Sequence, residues 1–188
     1  MAMNNPYQSQ LCHAVPLNST EQAISKSFLY LYQRMDFEHI SITAICRHAQ
    51  VSRPTFYRYF SNTWEIKEVL ESNFVANLLH VSYQLKFFDF ANPSYPHYLK
   101  KMRNFLQANR ETFKAFLVTN PSPTFIHKYK VSIKYHYFRE HYFSDLDLEI
   151  IASYLITVFT YTLANNTPIT LEQADHYDRQ LGRIIAAL

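Results

Sequence analysis

The stretch SRPTFYRYF, residues 52–60, gathers side chains suited to a polyanion with ordered base edges. Arg53 carries a planar fork that matches the two acceptors of guanine, and Pro54 could press on a thymine methyl. Thr55 and Tyr57 offer hydroxyls suited to phosphate oxygens, and Arg58 adds a second cation. These groups work together only on one face of a short helix whose other face is packed. Phe56 and Phe60, four apart, supply that packed face, with Pro54 and Arg58 close to opposite it. The plainer alternative is an amphipathic segment with a solvated polar face, because three short helices are a common arrangement.

The flanking residues specify the elements that would hold this helix. Ser52 is placed to cap it, and Pro54 sits in a first turn, where a missing N–H costs nothing. A second helix precedes it in SITAICRHA, capped by Ser41, with Ile42, Ile45, Cys46 and Ala49 on one face. Between the two, Gln50 must turn the chain and Val51 plugs the core. A first helix runs through NSTEQAISKSFLYLYQRM, where both Ser19 with Gln22 and Asn18 with Glu21 have capping-box spacing. Asp36 is the candidate left-handed residue ending it.

Composition supports this helical picture. The 188 residues include one glycine and eight prolines, with 48% apolar and 16% aromatic residues. Hairpins and phosphate-cradling loops consume glycine, so its scarcity predicts an all-α protein of long helices joined by proline-rich and polar turns. Residues 1–17 read as a flexible N-terminal arm, 18–62 as a helix-turn-helix unit, and 63–188 as a larger helical domain opened by a connecting helix over 63–90. Helices follow near 97–109, 111–118, 124–142, 145–165 and 170–187. No apolar run approaches the 18–20 residues of a bilayer span, and no secretory leader pattern is present. Two cysteines, Cys12 and Cys46, form no disulfide framework, so a cytoplasmic location is expected.

Residues 18–70 resemble the DNA-binding domain of the tetracycline-repressor (TetR) family of transcription regulators. The match is carried by SITAICRHAQVSRPTFYRYFSNTWEIKEVL: a Ser/Thr-Ile opening, the turn before Val-Ser, then Thr-aromatic-Tyr-x-x-Phe. The resemblance implies base contacts from Arg53 and Pro54, and phosphate contacts from Thr55, Tyr57 and Tyr59. It implies backbone or flanking-base contacts from Ser41 and Thr43. The sequence departs from the family pattern at four places. Gln50 replaces the turn glycine, Asp36 the glycine closing the first helix, Thr43 a frequent arginine, and Thr63 a frequent lysine. Lys67, one turn after Thr63, is the expected partial substitute. Two lost cations weaken the sequence-independent phosphate grip.

The same resemblance implies an effector-binding and dimerisation domain in 63–188. An effector pocket is expected among Phe105, Phe116, Tyr129, Ile133, Tyr137 and Tyr154, although aromatics at helical spacing are often plain core. The helix at 145–165 is apolar on more than one face, so Ile151, Leu155, Val158 and Phe159 are dimer candidates. In the last helix Gly182 and Ala186, four apart, would allow close helix approach, or else mark a tolerated surface glycine.

Residues 97–142 carry nine Lys/Arg against two acids, and 143–188 two against six. The basic-aromatic run HKYKVSIKYHYFREHY places Lys128 and Arg139 on one side, and Lys130, Lys134 and His141 on another. A solvated helix is the default there, an anionic ligand or pairing with the acidic C-terminal region the alternatives. His136 and His141 are spaced poorly for a shared metal, and no catalytic grouping, cofactor motif or metal cage stands out. The expected protein is therefore a non-enzymatic homodimeric regulator. Its partners would be a palindromic double-stranded DNA operator and a small-molecule effector, with no membrane and no cofactor. A repressor is favoured over an activator. The competing class is a helical carrier or protein-interaction protein that no longer reads DNA.

Overall fold

The computed structural model describes residues 5–84, 95–140, 143–168 and 170–187. These form α1 (Ser19–Tyr32), α2 (Ile42–Ala49), α3 (Arg53–Tyr59), α4 (Thr63–Gln84), α5 (Tyr95–Ala108), α6 (Arg110–Lys114), α7 (Pro123–Glu140), α8 (Asp145–Ala164) and α9 (Leu171–Ala187). One wide π turn, Ala115–Thr119, extends α6. No strand occurs among the described residues. The expected continuation of α4 to residue 90, and His141 on the basic helix, lie outside them.

The first three helices pack around Ile24, Phe28, Ile45, Phe56 and Phe60, all buried. Of the two capping frames, Asn18 and Glu21 form the box. The Asn18 side chain accepts from the Thr20 and Glu21 N–H groups, and Glu21 accepts from the Asn18 N–H. Asp36 does not end α1 in a left-handed turn. It is extended (φ −62°), and the chain passes directly into a 3-10 turn at Phe37–His39. Gln50 does turn left-handed (φ 55°, ψ 40°), at a strain of about 1 kcal/mol for a non-glycine residue. The other non-glycine residue with positive φ among those described is Asn166 (φ 51°), between α8 and α9.

Helix α4 packs on α1 at one end and along α7, which in turn lies along α8; α5 meets α9. Rings fill the centre of this second domain. Phe116 stacks on Phe125 at 4.8 Å, and Phe113 meets the edge of Phe74 at 4.8 Å and of Phe159 at 4.6 Å. Phe113, Phe116 and Phe125 are fully buried, and each contributes about 1.5–3 kcal/mol of apolar burial. By length and composition α8 would cross a bilayer, with 20 residues and mean hydropathy 1.4. One face of it packs within the protein, where Leu148, Ile151, Ala152 and Leu163 are fully buried.

The N-terminal arm departs from expectation. Tyr7 is buried, and its hydroxyl donates to Asp145 Oδ1 at 2.5 Å. Asn5 Nδ2 donates to the Tyr135 carbonyl at 2.9 Å, and the Val15 backbone exchanges two hydrogen bonds with the Asn73 amide. Residues 5–17 are thus strapped across α4, α7 and α8. Nothing periodic in that polar stretch announces it, because a single aromatic anchor leaves no sequence pattern.

Candidate nucleic-acid interface

Local capping builds the interface. Ser41 Oγ accepts from the Ala44 N–H at 3.1 Å and starts α2. Ser52 Oγ accepts from the Thr55 N–H at 3.2 Å and meets the Thr55 hydroxyl at 2.8 Å, starting α3. With Phe56 and Phe60 buried, the opposite face of α3 points outward. Arg53, Pro54, Tyr57 and Arg58 are exposed, and Thr55 and Tyr59 are half-buried beside them. The Arg53 guanidinium reaches the Tyr57 hydroxyl at 3.5 Å, a contact loose enough to yield to a stronger acceptor. Ser41 and Thr43 are exposed at the start of α2. Eight of the nine expected residues are thus exposed or half-buried at the surface of this unit.

Lys67 is the exception. It is 6% exposed and turns inward, where its ammonium pairs with Glu71 at 2.8 Å and donates to Ser122 Oγ at 2.7 Å. It cannot substitute for the missing cation at Thr63. Its position one turn along α4 is right in sequence, but the helix has rotated it toward α7. Further cations on the unit are Arg47 and Lys26, both exposed. His48 is less free: it stacks on Tyr30 at 4.4 Å and meets Ser27 Oγ at 3.0 Å.

The basic stretch of α7 behaves differently from α3. Lys128 pairs with Glu71 at 3.4 Å, and Lys130 with Glu149. Lys134 meets Glu149 at 2.6 Å and Asp145 at 3.2 Å. The solvated-helix expectation is replaced by pairing with α4 on one side and the acidic start of α8 on the other. Burial would push the Glu71 carboxyl up, but hydrogen bonds from Lys67, Ser122 and Thr124 outweigh it and hold the carboxyl below the usual range. Bonds from Lys130 and Lys134 lower Glu149, and bonds from Tyr7 and Lys134 lower Asp145. The Tyr7 hydroxyl, partly buried and facing Asp145, is pushed up to about 12.

Of the expected pocket residues, only Phe116 lines the cleft described here. That cleft has a volume of about 280 Å3 and lies between α1, α4 and α6, bounded also by Leu29, Leu70, Asn73, Phe74, Asn77, Asn109 and Thr112. Ile133 and Tyr137 are buried core, and Tyr129 packs on Phe113 and Phe125. Tyr154 donates to the Tyr177 carbonyl, and Phe105 packs half-buried against the core. These five pack in or against the core and do not line that cleft. Among the described residues, no three His, Cys, Asp or Glu side chains converge as they would around a metal ion.

The dimer candidates on α8 also divide. Ile151 and Phe159 face the protein's own core, at 0% and 8% exposure, and cannot meet a partner. Leu155 and Val158 are half-buried at the margin. The outward stripe is instead Leu146, Ile150 and Tyr161, at 67%, 40% and 65% exposure. They fall near whole helical turns of one another. Sequence pattern missed them because α8 is apolar nearly all round. On α9, Gly182 is half-buried and Ala186 exposed.

Residues 24–66 match the family of bacterial regulatory proteins known as tetR. Among solved structures, a TetR transcriptional regulator from Streptococcus agalactiae 2603V is similar at 22% identity, with a TM-score of 0.60. The alignment covers 86% of this chain and 93% of that one. The dihydroxyacetone kinase operon activator DhaS is similar at 19% identity with a TM-score of 0.54, covering 90% of this chain and 93% of its own. Comparison with curated proteins finds no match.

Proposed function

From the match of residues 24–66 to the family of bacterial regulatory proteins known as tetR, we propose that the chain is a homodimeric, effector-responsive transcription regulator of that family that binds a palindromic operator. The supporting observation is the outer face of α3. Arg53, Pro54, Tyr57 and Arg58 stand exposed on a helix whose other side is locked by Phe56 and Phe60. Arg53 and Pro54 read base edges, while Thr55, Tyr57 and Tyr59 hold phosphates with Ser41 and Thr43 beside them. One short helix contacts too few bases, so two copies read two half-sites about one helical turn apart.

The exposed stripe Leu146, Ile150 and Tyr161 on α8, with Gly182 and Ala186 on α9, is the surface best suited to the second copy. The three large apolar side chains on α8 are exposed among the described residues. The cleft between α1, α4 and α6 is the effector position this structure supports. A ligand there touches Leu29 of the DNA-reading unit and Phe116 of the second domain together. Ligand binding alters the spacing of the two α3 helices and hence operator affinity. Repression is the primary assignment. Activation is the second, and the similarity to an operon activator favours it.

Selection from a random-sequence DNA pool tests the proposal. A folded dimer should enrich a palindrome, with affinity that falls as salt rises. Failure to retain any duplex at low salt would overturn DNA reading and favour a carrier or protein-interaction role.

A further inference from the structure

The first helix ends without the glycine that commonly closes such helices, and Asp36, which stands there, is extended. The terminal carbonyls of a helix still need donors. Those of Leu29, Tyr30 and Leu31 find them in Gln33, Arg34 and Met35, but the last, Tyr32, takes its donor from a residue more than eighty positions away, in the second domain. Asn120 Nδ2 donates to the Tyr32 carbonyl at 2.8 Å and to the Met35 carbonyl at 3.0 Å. Its Oδ1 accepts from the Phe37 N–H at 2.8 Å, and its own carbonyl accepts from the Tyr32 hydroxyl at 2.9 Å. Both amide donors are thereby used, and all four bonds cross between the domains.

The clasp is anchored on both sides. Toward the DNA-reading unit, the Phe37 ring meets Phe28, Tyr32 and Trp64 at 6.1, 6.0 and 4.4 Å. On the other side, the Asn120 N–H donates to the Ala115 carbonyl and the Ser122 N–H to the Phe116 carbonyl, both at 2.9 Å. The Ser122 hydroxyl donates to Glu71 at 2.5 Å, which ties the same short segment to α4. The Phe116 ring packs tilted against Tyr32, with centroids 5.1 Å apart, and also lines the cleft. The end of α1 and the 3-10 turn that follows it thus meet the segment before α7 at one asparagine.

We propose that Asn120 is the positioning residue that fixes the DNA-reading unit on the second domain, and so sets the half-site spacing the dimer accepts. This inference rests on the DNA-reading assignment above. With the clasp intact, each unit has one pose and the two α3 helices one separation. Without it, the unit pivots about the start of α4, and its own base contacts are unchanged.

The test compares wild type with Asn120→Ala on the selected operator and on versions with two base pairs inserted or removed between half-sites. Wild type should lose roughly tenfold in affinity or more on the altered spacers, comparable to a mismatched base pair. The alanine variant should bind all spacers within about threefold of one another, because a freed unit adjusts to each. A folded Asn120→Ala dimer that keeps the wild-type spacer preference, or weakens equally on every spacer, overturns the inference. Should the alanine variant not fold, Asn120→Asp and Tyr32→Phe carry the test. The first lacks the amide donors to the two carbonyls, and the second lacks only the hydroxyl bond. Both should flatten the spacer preference partially, and an unchanged preference in both overturns the inference. If wild type enriches no DNA, the DNA-reading assignment fails and the spacing role with it, which is a different result from a spacer preference that survives the substitution.

Discussion

Helices α3 and α7 both carry basic residues interleaved with aromatics, RPTFYRY in one and HKYKVSIKYHYF in the other, yet their cations meet opposite fates. On α3, Arg53 and Arg58 stand exposed. On α7, Lys128, Lys130 and Lys134 each reach a carboxylate on a neighbouring helix. A basic-aromatic run is therefore no signature of nucleic-acid binding by itself. What matters is whether the fold has already supplied the anions.

The largest effect expected from breaking this contrast is Glu71→Ala. It leaves Lys67 buried without a counter-charge and unties Lys128, and should cost about 3–5 kcal/mol in denaturant unfolding. Arg53→Ala comes next and should act on the other axis alone. Base discrimination should fall roughly ten- to hundredfold in competition binding, with the thermal midpoint essentially unmoved.

Acidification should separate the two helices further. Glu71, Glu149 and Asp145 all have folded-state values below their ordinary ones. Their stabilisation is therefore present above the unfolded value of about 4 and is lost as pH falls through the lowered folded values. Thermal unfolding followed from neutral pH downward should show a plateau and then a drop in that acid window. A smaller change is expected from the double substitution of Lys130 and Lys134 to alanine. It should destabilise by about 1 kcal/mol and leave operator affinity and its salt slope alone. A loss of DNA binding in that variant would erase the contrast. Thr55→Ala should be the mildest, weakening all sequences alike by a few-fold in a binding titration.

Much of the DNA-reading unit was legible from local chemistry. Ser41 and Ser52 cap the helices they were expected to cap, and Gln50 takes the left-handed turn, because these outcomes depend on a few adjacent residues. Position within a long helix was less legible. Lys67 lies one turn from Thr63, where the family pattern often has lysine, yet it points at Ser122, since the rotation of α4 is set by its packing on α7. The same limit explains α8. An apolar surface on nearly every side does not reveal whether Ile151 or Ile150 faces the protein's own core. The expected pocket residues meet a related limit, because an aromatic that could line a cavity, such as Tyr129, can equally pack on neighbouring rings, here Phe113 and Phe125.

The sequence by itself determined the all-α class, the helix-turn-helix with its caps and packed phenylalanines, and the side chains α3 exposes. All of these follow from spacing over a few turns. Only the tertiary structure decided which cations stay free, which face of α8 is left open, and how the N-terminal arm is held. It also decided that Asn120, an unremarked residue in a proline-rich break, closes a helix in the other domain. Such outcomes depend on which groups distant segments bring within hydrogen-bonding reach. A chain of side chains cannot state that until it is folded.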